Sequence, residues 1–203
     1  MTSKTPKKPR AEREIMRAFI ALMEKTNYLS ITIQNILDES EYSRGTFYAH
    51  FSDKEDLVKK LIQSEVDVYM ACTTHYLAEI QTEKRTSDMR TQVKSEIEAY
   101  MRHVYDNQNL YRLIYEQKIP DFTFSVLAMR TYKESIRVFQ VWTKEDHSIN
   151  LDMFAYLTTN IHMCAVQYWI NHDFAQSPSY IAEQISFVAS TSKPIWIKGA
   201  VSP

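Results

Sequence analysis

Between Ile31 and Leu57 the chain sets Arg44, Thr46 and Tyr48 at alternate positions around Gly45, with Thr32 and Ser43 upstream and His50 and Lys54 downstream. Arginine is a fork of five N–H donors that bonds guanine or phosphate, and threonine and tyrosine add hydroxyl donors. This chemistry is recognition of a nucleic acid rather than bond breaking. Gly45 falls early in a helical stretch, where glycine costs about 1 kcal/mol relative to alanine, and a close approach of backbone to DNA would compensate. His50 and Lys54 follow on the same side. Lys54 also lies in the first turn of a following helix, whose free N–H groups and dipole favour a phosphate.

Such side chains need a scaffold that holds a short helix outward. A first helix is predicted from Arg10 to Lys25, since Ile15, Ala18, Phe19, Leu22 and Met23 recur at helical spacing. Thr32 offers an N-cap to a short helix with Ile33, Ile36 and Leu37 inward, and Ser43 repeats the device for the next. Ser52 and Glu55 have the spacing of a capping box and start a helix through Leu57, Leu61, Val66 and Met70. That helix is expected to run over roughly 53 to 83, joining head to body without a flexible tether. Further helices are expected at roughly 88 to 106, 109 to 117, 122 to 144, 151 to 172 and 178 to 191, with Pro120 and Pro178 at boundaries. Glycine occurs only at Gly45 and Gly199, and no stretch alternates in the strand period, so the fold class is all-α.

Residues 10 to 62 resemble the DNA-binding domain of the tetracycline-repressor (TetR) family. The resemblance is carried by the Thr32-Ile33 helix start, by Ser43-Arg44-Gly45-Thr46-Phe47-Tyr48, and by His50-Phe51-Ser52-Asp53-Lys54-Glu55-Asp56-Leu57. It implies that Thr32, Ser43, Thr46, Tyr48, His50 and Lys54 touch phosphates. Arg44, Gly45 and Thr46 would lie nearest the bases, and Phe47 and Phe51 in the core. Where the family places a small residue and glycine in the turn, this chain has Ser40-Glu41-Tyr42. A left-handed Glu41 carries a penalty of about 1 kcal/mol.

Past the head, tyrosines and methionines crowd the middle helices. Buried tyrosines need partners for their hydroxyls, and Tyr69, Tyr100, His103, Tyr111, Tyr115, Tyr132 and Trp142 are candidates for lining a site for a mostly apolar small molecule. In TetR-like proteins the middle helices enclose the effector, and the resemblance carries most of this expectation. The stretch from Leu151 to Ile170 is apolar on more than one side, which asks for a second partner. With residues 178 to 191 it resembles the helix pair that makes a two-fold interface in TetR-like dimers, with Phe154, Leu157, Ile161, Val166, Trp169 and Ile185 as candidate contacts. A homodimer supplies two heads for a palindromic double-stranded operator with half-sites about 34 Å apart.

The predicted architecture is thus a helix-turn-helix head over residues 8–62, joined by a long helix to a larger helical effector-binding and dimerisation body over 63–191, with a tail at 192–203. A net charge of −1 over 203 residues means that attraction to nucleic acid is local, helped by Lys4, Lys7, Lys8, Arg10, Arg13 and Arg17. That arm is equally a disordered solubilising tail. Charged or polar residues interrupt every apolar run before the roughly 20 needed to cross a bilayer. Cys72 and Cys164 are far apart with no metal spacing, so no metal or cofactor is expected, and reduced thiols fit the cytoplasm. The sequence reads as a ligand-released homodimeric repressor rather than an enzyme. The alternatives are an adaptor on the same fold that does not read DNA and an all-helical enzyme, though no serine sits in a nucleophile elbow.

Overall fold

Short polar side chains set where the N-terminal helices begin. In the computed structural model, which describes residues 9–80, 87–142 and 150–191, with side chains over 9–72, 93–137, 150 and 152–188, helix α1 spans Arg10–Lys25 and a 3-10 turn, Tyr28–Ser30, follows. Thr32 caps α2 (Ile33–Ser40): its Oγ1 accepts from Asn35 N at 3.1 Å, and Asn35 Oδ1 accepts from Thr32 N at 2.9 Å. Two otherwise orphaned amides are satisfied reciprocally. Ser43 caps α3 (Arg44–His50) by accepting from Thr46 N at 3.1 Å.

The cap of α4 (Lys54–Ile80) lies one residue beyond the expected Ser52. Asp53 Oδ1 accepts from Asp56 N at 2.6 Å, and Asp56 Oδ2 accepts from Ser52 N at 3.0 Å. Carboxylates win here because their charge also meets the positive end of the helix dipole. Glu55, the expected partner of Ser52, instead accepts from the Tyr28 hydroxyl at 3.0 Å. The remaining helices are α5 (Ser87–Asp106), α6 (Gln108–Tyr115), α7 (Phe124–Trp142), α8 (Leu151–Asn171) and α9 (Pro178–Thr191). Every regular element among the described residues is helical, so the fold is all-α.

Contacts divide the chain into two compact units. The first gathers the described residues up to Asp67 with Asn107–Leu127. Ile15, Phe19, Ile36, Phe47, Phe51 and Leu57 are among its fully buried side chains, each contributing about 1.5–3 kcal/mol by leaving water. Phe47 and Phe51 meet at 5.3 Å between ring centres, which fixes one side of α3 against the core. Helix α6 belongs here too: Asn109 Nδ2 donates to Glu24 at 2.7 Å, and the buried Tyr111 hydroxyl donates to Glu65 at 2.8 Å.

The second unit comprises the described parts of Val68–Asp106 and of the chain from Ala128 onward. Helix α5 packs along α9, and α8 against α9. Trp169 is wholly buried, stacked on Tyr105 at 5.7 Å, with its Nε1 donating to the Gln176 carbonyl at 3.1 Å. Tyr69 and Tyr100, both buried, meet edge to face at 5.1 Å, and the His162 ring lies 5.4 Å from Tyr69.

Packing within the protomer divides the residues of two expected groups. Val166 and Trp169, expected at a dimer contact, are fully covered within the protomer, and Ile185 is nearly so. Leu157 is 46 % exposed, Phe154 and Ile161 are half-buried, and Met153, Tyr156, Tyr168, Tyr180, Phe187 and Val188 complete an exposed apolar face of α8 and α9. The reason is helical phase: Cys164, seven residues after Leu157, returns to its side, whereas Val166, nine after it, faces the opposite way. The candidate effector residues are likewise not one group. Tyr111 and Tyr115 fall in the first unit, Tyr111 committed to Glu65 and Tyr115 half-exposed beside Phe124. Tyr132 lies at the surface of the second unit with its hydroxyl on Asp152, and His103 is half-buried. The side chain of Trp142, the arm residues Lys4, Lys7 and Lys8, and the tail 192–203 lie outside the described residues.

Candidate nucleic-acid interface

Helix α3 has two sides of different character. Phe47 is buried, whereas Arg44, Gly45, Tyr48 and Ala49 are exposed and share a single outward arc. The sequence pattern had not singled out Ala49, whose small side chain carries no chemical signal. Tyr48 stands half out of the surface with its ring edge-on to Phe47 at 5.5 Å, which steadies it and leaves its hydroxyl end outward.

The turn before α3 is tight. Glu41 is left-handed, with φ 58° and ψ 23°, as closure of α2 without glycine requires. Ser43 and Thr46 share a hydroxyl–hydroxyl bond at 2.9 Å, so the same cap that starts α3 holds two hydroxyl groups at its N-terminus. Free amides and the positive helix end make this the favoured place for a phosphate oxygen. Thr32, also exposed, occupies the equivalent position on α2.

Arg44 extends along the surface, and its Nη2 donates to Gln34 Oε1 at 2.9 Å. Sequence reasoning missed Gln34, because nothing in the local pattern of α2 distinguishes it from a solvated residue. Gly45 adopts no left-handed conformation, and a Cβ built on it meets only Ser43 Oγ, at 3.8 Å. Nothing within the described fold therefore calls for glycine at this position.

One expected phosphate grip is engaged within the protein. Lys54 is turned inward: its ammonium donates to the carbonyls of Tyr28 and Ile31, each at 2.7 Å, and sits 4.0 Å above the Tyr28 ring. Two partly buried carbonyls at the end of the 3-10 turn and the face of the Tyr28 ring together hold the ammonium. The Tyr28 hydroxyl beneath it is pushed up to about 12 by burial and by the Glu55 carboxylate. His50 is half-buried, and its carbonyl accepts from Lys60. Lys60 also pairs with Asp56 at 3.1 Å, and the Ser52 amide first, then Lys60, hold that carboxyl below its ordinary range.

The arrangement is a short, capped helix with an arginine, a tyrosine and a bare glycine on its outer side and three hydroxyl groups at the starts of α2 and α3. It can grip phosphate oxygens and offer donors to base edges in a groove. Comparison with known proteins agrees. Residues 15–61 match the family described as bacterial regulatory proteins, tetR family, and residues 91–191 match the family described as transcriptional regulator C-terminal region. An uncharacterized HTH-type transcriptional regulator, YxbF, of Bacillus subtilis is 17% identical over 95% of this chain, which spans 48% of that protein's length. The HTH-type transcriptional activator FasR of Mycolicibacterium smegmatis is 23% identical over 81% of this chain and 75% of its own. Among solved structures, a TetR-family regulator from Syntrophomonas wolfei shares the fold with a TM-score of 0.62 at 18% identity, covering 95% of this chain and 98% of that one.

Proposed function

The chain belongs to the tetR family of bacterial regulatory proteins, DNA-binding transcription regulators rather than enzymes, and from that membership we propose that it is a homodimer whose two α3 helices read successive major grooves of a palindromic operator. The observation that carries this reading is the outward arc of Arg44, Gly45 and Tyr48 on a helix whose other side is locked by Phe47 and Phe51. Arg44 is assigned to base edges, and Thr32, Ser43, Thr46 and Tyr48 to phosphates. Lys54 acts by fixing the position of α4's first turn.

A second copy is the occupant assigned to the apolar face of α8 and α9. Between these helices runs a groove of ≈ 360 Å³ lined by Ile161, Ala165, Tyr168, Tyr180, Ile185 and Val188. The exposed rows on either side of it continue the same apolar surface, which a monomer would leave in water.

The effector is assigned to the second unit, beside Tyr69, Tyr100 and His162. The Thr158 carbonyl lies 2.7 Å from His162 Nδ1 and can only accept, so Nδ1 carries the proton and Nε2 is a bare acceptor. That Nε2 is buried with no hydrogen-bond partner among the described residues, and burial holds the imidazole below its ordinary pKa, hence neutral. A mostly apolar molecule bearing one O–H or N–H donor fits such surroundings. Its binding favours one separation of the heads, and a coupling of about 1–3 kcal/mol changes operator affinity about 5- to 150-fold. The sense of control is read as repression released by the effector, in the cytoplasm. No helix among the described residues is long and apolar enough to cross a membrane.

Selection of bound duplexes from a random pool tests the reading. A palindromic consensus with half-sites one helical turn apart is the expected outcome. Retention of no sequence above the random background would instead favour an adaptor role.

A further inference from the structure

One set of side chains in the head is not used by the contacts assigned so far. Gln34 on α2 donates from Nε2 to Asp38 Oδ1 at 2.8 Å, one turn along, and accepts at Oε1 from Arg44 Nη2 at 2.9 Å, across the turn. An amide offers a donor end and an acceptor end, and a carboxylate only accepts. Asp38 therefore fixes which end of Gln34 faces Arg44. An exposed arginine otherwise samples many rotamers, and a base contact that needs one of them is weakened by the time spent in the rest.

We propose that Gln34 and Asp38 are positioning residues that hold the Arg44 guanidinium in its base-reading direction, and so set the protein's sequence discrimination without touching DNA themselves. This rests on the DNA-reading function proposed above. Gln34 occupies one N–H of the fork, and the remaining donors still include a parallel pair for the O6 and N7 of a guanine. Gln34, Asp38 and Arg44 are all exposed, so changing them leaves the core of the head intact.

The test uses the full chain, the duplex it selects, and single-base variants of that duplex, with equilibrium binding measured at several salt concentrations. Gln34→Leu is expected to reduce discrimination at the base read by Arg44 by about two- to tenfold, the range for one lost hydrogen bond. Its salt dependence should match wild type, because no phosphate contact is removed. Asp38→Leu is expected to lose discrimination likewise, whereas Asp38→Asn, whose amide oxygen still accepts from Gln34, retains it. In an Arg44→Ala background, Gln34→Leu should add nothing.

Unchanged discrimination in Gln34→Leu or Asp38→Leu overturns the proposal. So does an equal loss from Gln34→Leu with and without Arg44, which would make Gln34 a direct base contact. A wild-type protein that selects no sequence defeats the DNA-reading function itself. That result is distinct from a wild type that discriminates beside variants that discriminate equally well.

Discussion

Replacing Gly45 with alanine should stabilise the protein and weaken its hold on DNA. A Cβ at this position meets only Ser43 Oγ, at 3.8 Å, an ordinary van der Waals distance, and the backbone conformation suits any residue. The fold therefore loses nothing from the methyl group and gains helix propensity, about 0.5 kcal/mol for a residue this close to the helix start, toward the lower end of the glycine penalty. For a chain of this size that is a rise of about 1–2 °C in the unfolding midpoint. On the outside, the methyl group stands where α3 meets the groove, and overfilling a close-packed contact costs about 1–3 kcal/mol, or about 5- to 150-fold in Kd. Thermal unfolding followed by circular dichroism and fluorescence anisotropy on the selected duplex, both at one salt concentration, measure the two effects. Gly45→Ala binding DNA as tightly as wild type would refute the close-approach argument, and an alanine variant less stable than wild type would show that glycine is retained for an internal reason.

Lys54→Ala should destabilise the head by about 1.5–3 kcal/mol, the range for hydrogen bonds from a charged group, and a denaturant titration reads the loss directly. His162 is held below the ordinary imidazole value of 6.5 by burial, so the unfolded chain binds the extra proton. Stability is then fully present above that value and is lost as pH falls below it, and His162→Asn should flatten the urea midpoint over about pH 5–7.5. An equal slope in the variant would place the acid sensitivity elsewhere. Leu157→Glu sets a charge on the exposed side of α8, and sedimentation should find a monomer with unchanged helix content, whereas an intact dimer would exclude this face as the interface.

How much of this could be read from the sequence follows the range of the forces involved. The starts of α2 and α3 were readable because caps act within three residues, as Thr32 and Ser43 do. The strained Glu41 was readable for the same reason, since a turn that short leaves one residue to reverse the chain. At α4 the motif misled by one residue, because Ser52, Asp53, Glu55 and Asp56 offer overlapping caps and only their geometry selects Asp53.

Long side chains were the least readable. Lys54 finds carbonyls 26 and 23 residues earlier, Arg44 finds Gln34, and Tyr111 finds Glu65, none of which periodicity records. Helix α8 shows a different limit. With Leu157, Ile161, Val166 and Trp169 distributed around it, apolarity alone does not say which stripe meets the protomer's core, and burial divides them.

The inward turn of Lys54 bears on mechanics. Its ammonium rivets the 3-10 turn that precedes α2 to the first turn of α4, with Tyr28 gripped in addition by Glu55. A displacement of α4's N-terminal end therefore drags the entrance of α2 along instead of being dissipated as local bending. The reading helix is steered like a blade fixed to its handle, and cutting the rivet would leave an input at α4 with nothing firm to push.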